Sequence, residues 1–255
     1  MKKVLFLLAL GFSATQLWSQ NIASSDIRYN PKEGKINNIP LIGDPTPYFT
    51  ANSTNGIINF PGDYGRNWKI LLSHPADYTP VCTTEIMELA YLQDEFDKIG
   101  VKVVVVSTDR VESHLRWKKD MEGISFKDRK QVNIKFPIVG DENLSISKKY
   151  GMIHPATSST KAVRGVFIID PDNKIAAVLF YPMNVGRSTD ELLRMITALQ
   201  TTYADNVCTP VNWKARDDLL IPYNPTPSKD LDNPVILPPE GYYNLAWFVW
   251  YKKNN

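Results

Sequence analysis

The chain has 255 residues, of which 43% are hydrophobic and 22% charged. That length buries a substantial core, in one large domain or in a domain with an appendage. A formal charge of +2 with interspersed signs leaves no footprint for nucleic acid or an anionic membrane surface, and both are set aside as partners.

The first predicted element is a leader. Residues 1–20, MKKVLFLLALGFSATQLWSQ, run from Lys2 and Lys3 through an apolar stretch, Val4 to Leu10, to small and polar residues. This is the order of a secretory signal peptide. The apolar core is short of the roughly 20 residues a membrane span needs. The expectation is export, to a periplasmic or secreted location, with an uncleaved anchor as the alternative. Residues 21–40 read as an irregular lead-in.

From 41 to 205 apolar runs alternate with amphipathic stretches. KILLS (69–73), VKVVVVSTD (101–109) and FPIVG (136–140) are β-branched runs of strand length. RGVFIID (164–170) and KIAAVLFYP (174–182) flank Pro171, Asp172 and Asn173 and predict a hairpin. Between them, 83–100 has helical spacing and closes on Gly100, a favourable C′ residue. Shorter helices are expected over 111–122 and 143–150. Ser188 with Glu191 three residues later predicts a capping box opening a helix over 188–204. Strands alternating with helices and ending in a hairpin imply an α/β sandwich with a mixed sheet.

Residues 206–255 differ in composition. Seven of the 18 prolines (Pro210, Pro222, Pro225, Pro227, Pro234, Pro238 and Pro239) fall here, with Trp213, Trp247 and Trp250. Such a segment builds no core of its own and is expected to lie over the main domain or over a partner subunit. The aromatic end, YYNLAWFVWYKK, should not sit unpaired in water.

Two cysteines, Cys82 and Cys208, allow a structural disulfide in an exported protein. No Cys-x-x-Cys is present and the three histidines are scattered in sequence, so no metal site is predicted. Cys82 sits in SHPADYTPVCTTE (73–85). Thr79 suits an N-cap and Pro80 the first helical position, which places Cys82 in the first turn of a helix. The positive end of the helix dipole favours a thiolate there, and cysteines in such sites titrate between about 3.5 and 7.5. Taken alone, the residue is as readily a small buried hydrophobe.

This stretch resembles the active-site segment of the peroxiredoxins, Pro-x-x-x-Thr-x-x-Cys, here Pro75, Thr79 and Cys82. The extended form is similar to the one-cysteine, peroxiredoxin-six type. The likeness continues through VVVVSTD, FPIVGD, KKYGM, AVRGVFIID and FYPMNVGRSTDELLR to TPVNW. It implies a thioredoxin-like domain whose C-terminal arm packs in a homodimer. It also implies a thiol-dependent peroxidase reducing hydrogen peroxide and small organic hydroperoxides, with no cofactor and with electrons from an external thiol. Under it Cys82 is the peroxidatic nucleophile, Thr79 bonds the peroxide oxygen and Pro75 screens the sulfur. Arg164 stabilises thiolate and peroxide, Glu85 steers Arg164, His74 lies near the sulfur, and Arg187 is a second site arginine. The alternative function is a non-catalytic holdase or scaffold using the aromatic arm.

Two positions depart from the pattern. Some members of the subfamily carry a phospholipase serine where this chain has Asn67, so that activity is not expected. Cys208, in NVCTPVNWK, stands where strict one-cysteine members lack a thiol and is a candidate resolving cysteine, with a bystander thiol as the alternative.

Overall fold

The computed structural model describes residues 39–222 and 238–254. The leader and nearly all of the lead-in lie outside the described residues, as do Pro225, Pro227 and Pro234 of the arm. In chain order the elements are β1 (Phe49–Ser53), β2 (Gly56–Phe60), a 3-10 turn (Gly62–Tyr64), β3 (Trp68–His74), α1 (Pro80–Lys98) and β4 (Val101–Ser107). They continue with α2 (Val111–Glu122), β5 (Ile138–Gly140), α3 (Ser145–Lys149), β6 (Arg164–Ile169), β7 (Ile175–Tyr181) and α4 (Thr189–Ala204). β8 (Leu219–Ile221), β9 (Tyr242–Ala246) and β10 (Val249–Lys252) complete the described chain.

Seven strands form one sheet in the order β2-β1-β5-β4-β3-β6-β7. β3, β4 and β5 are parallel and the other neighbours antiparallel, so the sheet is mixed as expected. β3 and β4 read as continuous apolar runs because both faces of the sheet are covered. The period of two then sorts their side chains into two cores. Ile70, Leu72, Val103 and Val105 pack with Ile86, Trp117, Leu192 and Ile196, in the layer that also holds Cys82. Leu71, Val104 and Val106 pack on the other side with Phe49, Phe60, Tyr150 and Phe167.

Helix ends follow the sequence with two differences. α1 starts at Pro80 and is followed by Gly100 at φ 70°. Thr79 occupies the N-cap position, but its hydroxyl does not cap; it donates instead to the Ala76 carbonyl at 2.9 Å. At α4 the Ser188 hydroxyl accepts from Glu191 N–H at 3.2 Å, whereas the Glu191 carboxylate turns to Arg194 and leaves the box half built. The β6–β7 hairpin closes at the expected turn, with Asn173 at φ 59°. The β1–β2 hairpin was not expected from the sequence.

The arm is more regular than its prolines suggest. β8, β10 and β9 make a three-stranded antiparallel sheet. Trp213 and Trp250 are buried with Val207, Leu219 and Ile221 against Ala198 of α4, so this part does lie over the main domain. Trp247 and Phe248, at the β9–β10 tip, are not covered by the main domain and remain 64% and 68% exposed in the single chain. They project beyond the last paired residues of the hairpin. Among the described residues no helix is long and apolar enough to cross a membrane.

Candidate active site

Three elements converge at the C-terminal end of β3. The strand delivers His74, the following loop carries Pro75, Asp77 and Thr79, and the first turns of α1 carry Cys82 and Glu85. Arg164 enters from the start of β6, paired antiparallel beside β3, and Arg187 from the loop before α4. All of these residues except Thr79 are buried, and Cys82 has no exposed surface.

Arg164 is aimed at the sulfur. Its Nη1 donates to Cys82 Sγ at 3.2 Å and to Glu85 Oε2 at 2.6 Å. Its Nε and Nη2 are held by the Met183 carbonyl at 3.1 and 2.6 Å. A fixed guanidinium beside a sulfur, at the mouth of a helix, is an arrangement that stabilises negative charge on that sulfur.

Glu85 is the hub. Besides Arg164 it accepts from Arg187 N–H at 2.8 Å, Nε at 2.9 Å and Nη2 at 2.7 Å. Burial works against its ionised form, but the two arginines outweigh burial and hold the carboxyl below its usual range. Arg187 Nη1 also ties β3 to β6, donating to the carbonyls of Ser73 at 2.9 Å and Gly165 at 3.0 Å. These contacts join Cys82, Glu85, Arg164 and Arg187 in one network, while His74, Pro75 and Thr79 lie beside it on the end of β3 and the following loop and make none of its bonds.

Sequence reasoning missed two members. His74 and His114, 40 positions apart, both meet Asp77: His74 Nε2 lies 3.1 Å from Oδ1, and His114 Nδ1 lies 2.9 and 2.8 Å from Oδ1 and Oδ2. Two of the three histidines are thus not scattered in space. The ligand atoms of the three residues all lie within 4.8 Å of one another, a grouping that the scatter of the histidines in sequence concealed. Asp77 lay inside the quoted motif, but nothing in sequence pointed to His114.

Cys208 is apart from this assembly. It is exposed, and its N–H and carbonyl pair with Leu220 at 2.7 and 2.8 Å. Both cysteines are free, so no structural disulfide joins them. Asn67 has its side-chain amide committed to the Tyr64 carbonyl at 2.8 Å.

The model of the AhpC/TSA family matches residues 42–178. A peroxiredoxin of Methanosarcina mazei is 46% identical over 217 residues, covering 85% of this chain and 99% of that protein. The chain belongs to the AhpC/TSA family, the peroxiredoxins. The mitochondrial peroxiredoxin of Saccharomyces cerevisiae is 44% identical over 195 residues, covering 74% of this chain and 72% of its own. A solved yeast mitochondrial 1-Cys peroxiredoxin superposes with a TM-score of 0.70 at 39% identity, covering 84% of this chain and 99% of that one. A mutant of the peroxiredoxin 6 of Arenicola marina gives 0.68 at 32%, covering 84% and 98%. The fold is the thioredoxin-like fold of these proteins, and this peroxiredoxin is a thiol-dependent peroxidase. Nothing in these relationships supports the holdase or scaffold alternative.

Proposed function

We propose that Cys82 is the peroxidatic nucleophile, on the strength of the Arg164 Nη1 contact that bridges its sulfur and Glu85. The thiolate attacks one oxygen of a hydroperoxide. The S–O bond forms as the O–O bond breaks, the sulfur keeps the attacked hydroxyl as a sulfenic acid, and the leaving oxygen takes up a proton to become water or alcohol. The Thr79 hydroxyl gives its own proton to Ala76, which leaves its oxygen free to accept from the peroxide. Arg164 steadies the other oxygen and the developing charge. Pro75, buried in the loop, screens the sulfur, while Glu85 and Arg187 hold Arg164 in register. His74 ends the strand that leads into this loop, on the face where Cys82 lies. Full burial of Cys82 favours small peroxides over bulky ones.

An external thiol then displaces the hydroxyl as water, leaving a mixed disulfide that a second thiol reduces. Cys208 is a candidate for the first of these thiols, acting across a homodimer; its exposure and the uncovered Leu245, Trp247 and Phe248 support that arrangement. The basic and apolar opening of the chain supports export.

Peroxide consumption with a thiol donor tests the nucleophile. Cys82→Ser is expected to abolish turnover while the protein stays folded, and retained turnover would refute the assignment. For the resolving role, a non-reducing gel after peroxide treatment should show a crosslinked dimer in wild type and none in Cys208→Ser. A dimer in both, or in neither, removes Cys208 from the cycle.

A further inference from the structure

The cluster at Asp77 is not accounted for by the chemistry above. Asp77 is buried, and its carboxylate lies within hydrogen-bond distance of one nitrogen from each of two fully buried imidazoles. Burial opposes its ionised form, but the hydrogen bonds from His114 and His74 outweigh burial and keep the carboxyl far below its ordinary value. Burial holds His74 below the usual imidazole value in spite of that carboxylate, so the ring is neutral at physiological pH. An ionised carboxylate only accepts. The proton of His74 therefore sits on Nε2, and His114 donates through Nδ1. His74 Nδ1 is then a buried acceptor with no donor among the described residues, and His114 Nε2 likewise has no partner among them.

The position of His74 makes this useful. Along β3 it alternates with Ile70 and Leu72 and so points to the face that α1 covers, where Cys82 lies. Its ring packs 5.1 Å from that of Trp117, a member of the same layer. The carboxylate is itself held in place. The backbone N–H of Asp77 donates to Asp109 Oδ2 at 2.7 Å, and Lys161 anchors Asp109 at 2.7 Å.

We propose that Asp77 and His114 are positioning residues of the peroxidatic site, locking His74 in the tautomer whose bare Nδ1 accepts a hydrogen bond from an O–H of the incoming hydroperoxide. The proposal rests on the peroxidase reading. An unpartnered acceptor in a buried layer is costly unless a donor arrives, and the substrate brings one. Tautomer control by a buried carboxylate is also sensitive to a change that leaves shape intact.

Asp77→Asn supplies that change. If the new NH2 group replaces Oδ1 it faces both ring N–H groups, and if it replaces Oδ2 it faces that of His114. In either placement at least one ring must change tautomer or lose its bond. Long-range 1H–15N correlation spectra read the tautomers directly, and only three histidines contribute. Wild type should show His74 protonated on Nε2 and His114 on Nδ1. Asp77→Asn should alter at least one of these and lower the second-order rate constant for peroxide on the order of ten- to a hundred-fold. Unchanged tautomers, or a rate within twofold of wild type, would overturn the proposal. His114→Asn keeps an N–H to donate where His114→Leu does not. The former should react at least about tenfold faster than the latter, and equal rates would overturn the part given to His114, also where Asp77→Asn fails to fold. Wild type that shows the stated tautomers yet ignores peroxide would instead sink the peroxidase reading, and with it the catalytic purpose of the cluster.

Discussion

Replacing Glu85 by Gln isolates the electrostatics of the site. The carboxylate is 6% exposed and accepts four N–H groups, two on each oxygen: Arg187 N and Nε on Oε1, Arg164 Nη1 and Arg187 Nη2 on Oε2. In Glu85→Gln, whichever oxygen becomes NH2 then confronts two donors with a donor. At least two charge-assisted bonds are lost, at about 1.5–3 kcal/mol each. Two arginines are left without their buried counter-charge, for which removal of one partner typically costs about 3–5 kcal/mol. The two routes agree, and the expected loss is about 3–5 kcal/mol at neutral pH, or roughly 6–20 °C in Tm for a domain of this size. The pH dependence carries the sign. The folded value of Glu85 is depressed, so its contribution is fully present above the unfolded carboxyl value of about 4.3 and is lost as pH falls through the folded one. The gap between wild type and Glu85→Gln should therefore be constant from pH 6 to 8 and should start to narrow only below the unfolded value of about 4.3, shrinking further as the pH falls. Urea unfolding followed across pH measures it. A gap under about 1 kcal/mol at pH 7, or one that widens on acidification, refutes the reasoning. Peroxide turnover should fall in the same variant, since Arg164 Nη1 is then no longer held between Glu85 and the sulfur.

The central strands were legible because burial on both faces writes itself as uninterrupted β-branched residues, as in VVVV of β4. The hairpin at Asn173 was legible because a turn needs the residues found there. β1 and β2 were overlooked although Asn55-Gly56 is a strong hairpin signal, with Gly56 at φ 90°. They lie at one side of the sheet, and only alternate positions are buried, so their apolar content is dilute. In the arm, prolines masked three short strands whose pairing depends on residues some 30 positions apart, such as Trp250 opposite Ile221.

The same division holds for the site. Cys82, Thr79, Pro75 and Glu85 are readable because one turn of chain carries them, and Arg164 and Arg187 because each sits in its own recognisable run. The Asp77–His114 pair is set by α2 packing near the end of β3, a long-range contact that no local pattern encodes. The N-cap assignment of Thr79 shows the converse error. A residue of the right type in the right place uses its hydroxyl on Ala76, because the loop gives it a nearer carbonyl.

Two further predictions bear on the scaffold. Ser188→Ala removes the one side-chain cap of α4 and should cost about 0.5–2 kcal/mol in urea unfolding, with turnover little changed; no loss would mean that the 3.2 Å bond to Glu191 N–H carries no weight. Gly151→Ala tests whether the chain entering β1 is fixed against α3. Gly151 sits at φ 63°, where an added Cβ strains the backbone by about 1–2 kcal/mol. That Cβ would also fall well inside contact with Ile39 Cγ1 and 3.2 Å from Ile39 Cα. Gly100→Ala, at φ 70° with nothing within 4 Å of the new Cβ, carries the backbone strain alone. Gly151→Ala should therefore be the more destabilising by a further 1 kcal/mol or so, the order of an overpacking penalty. Equal losses in the two variants would show that Ile39 yields freely and is not part of the rigid wall behind the second core.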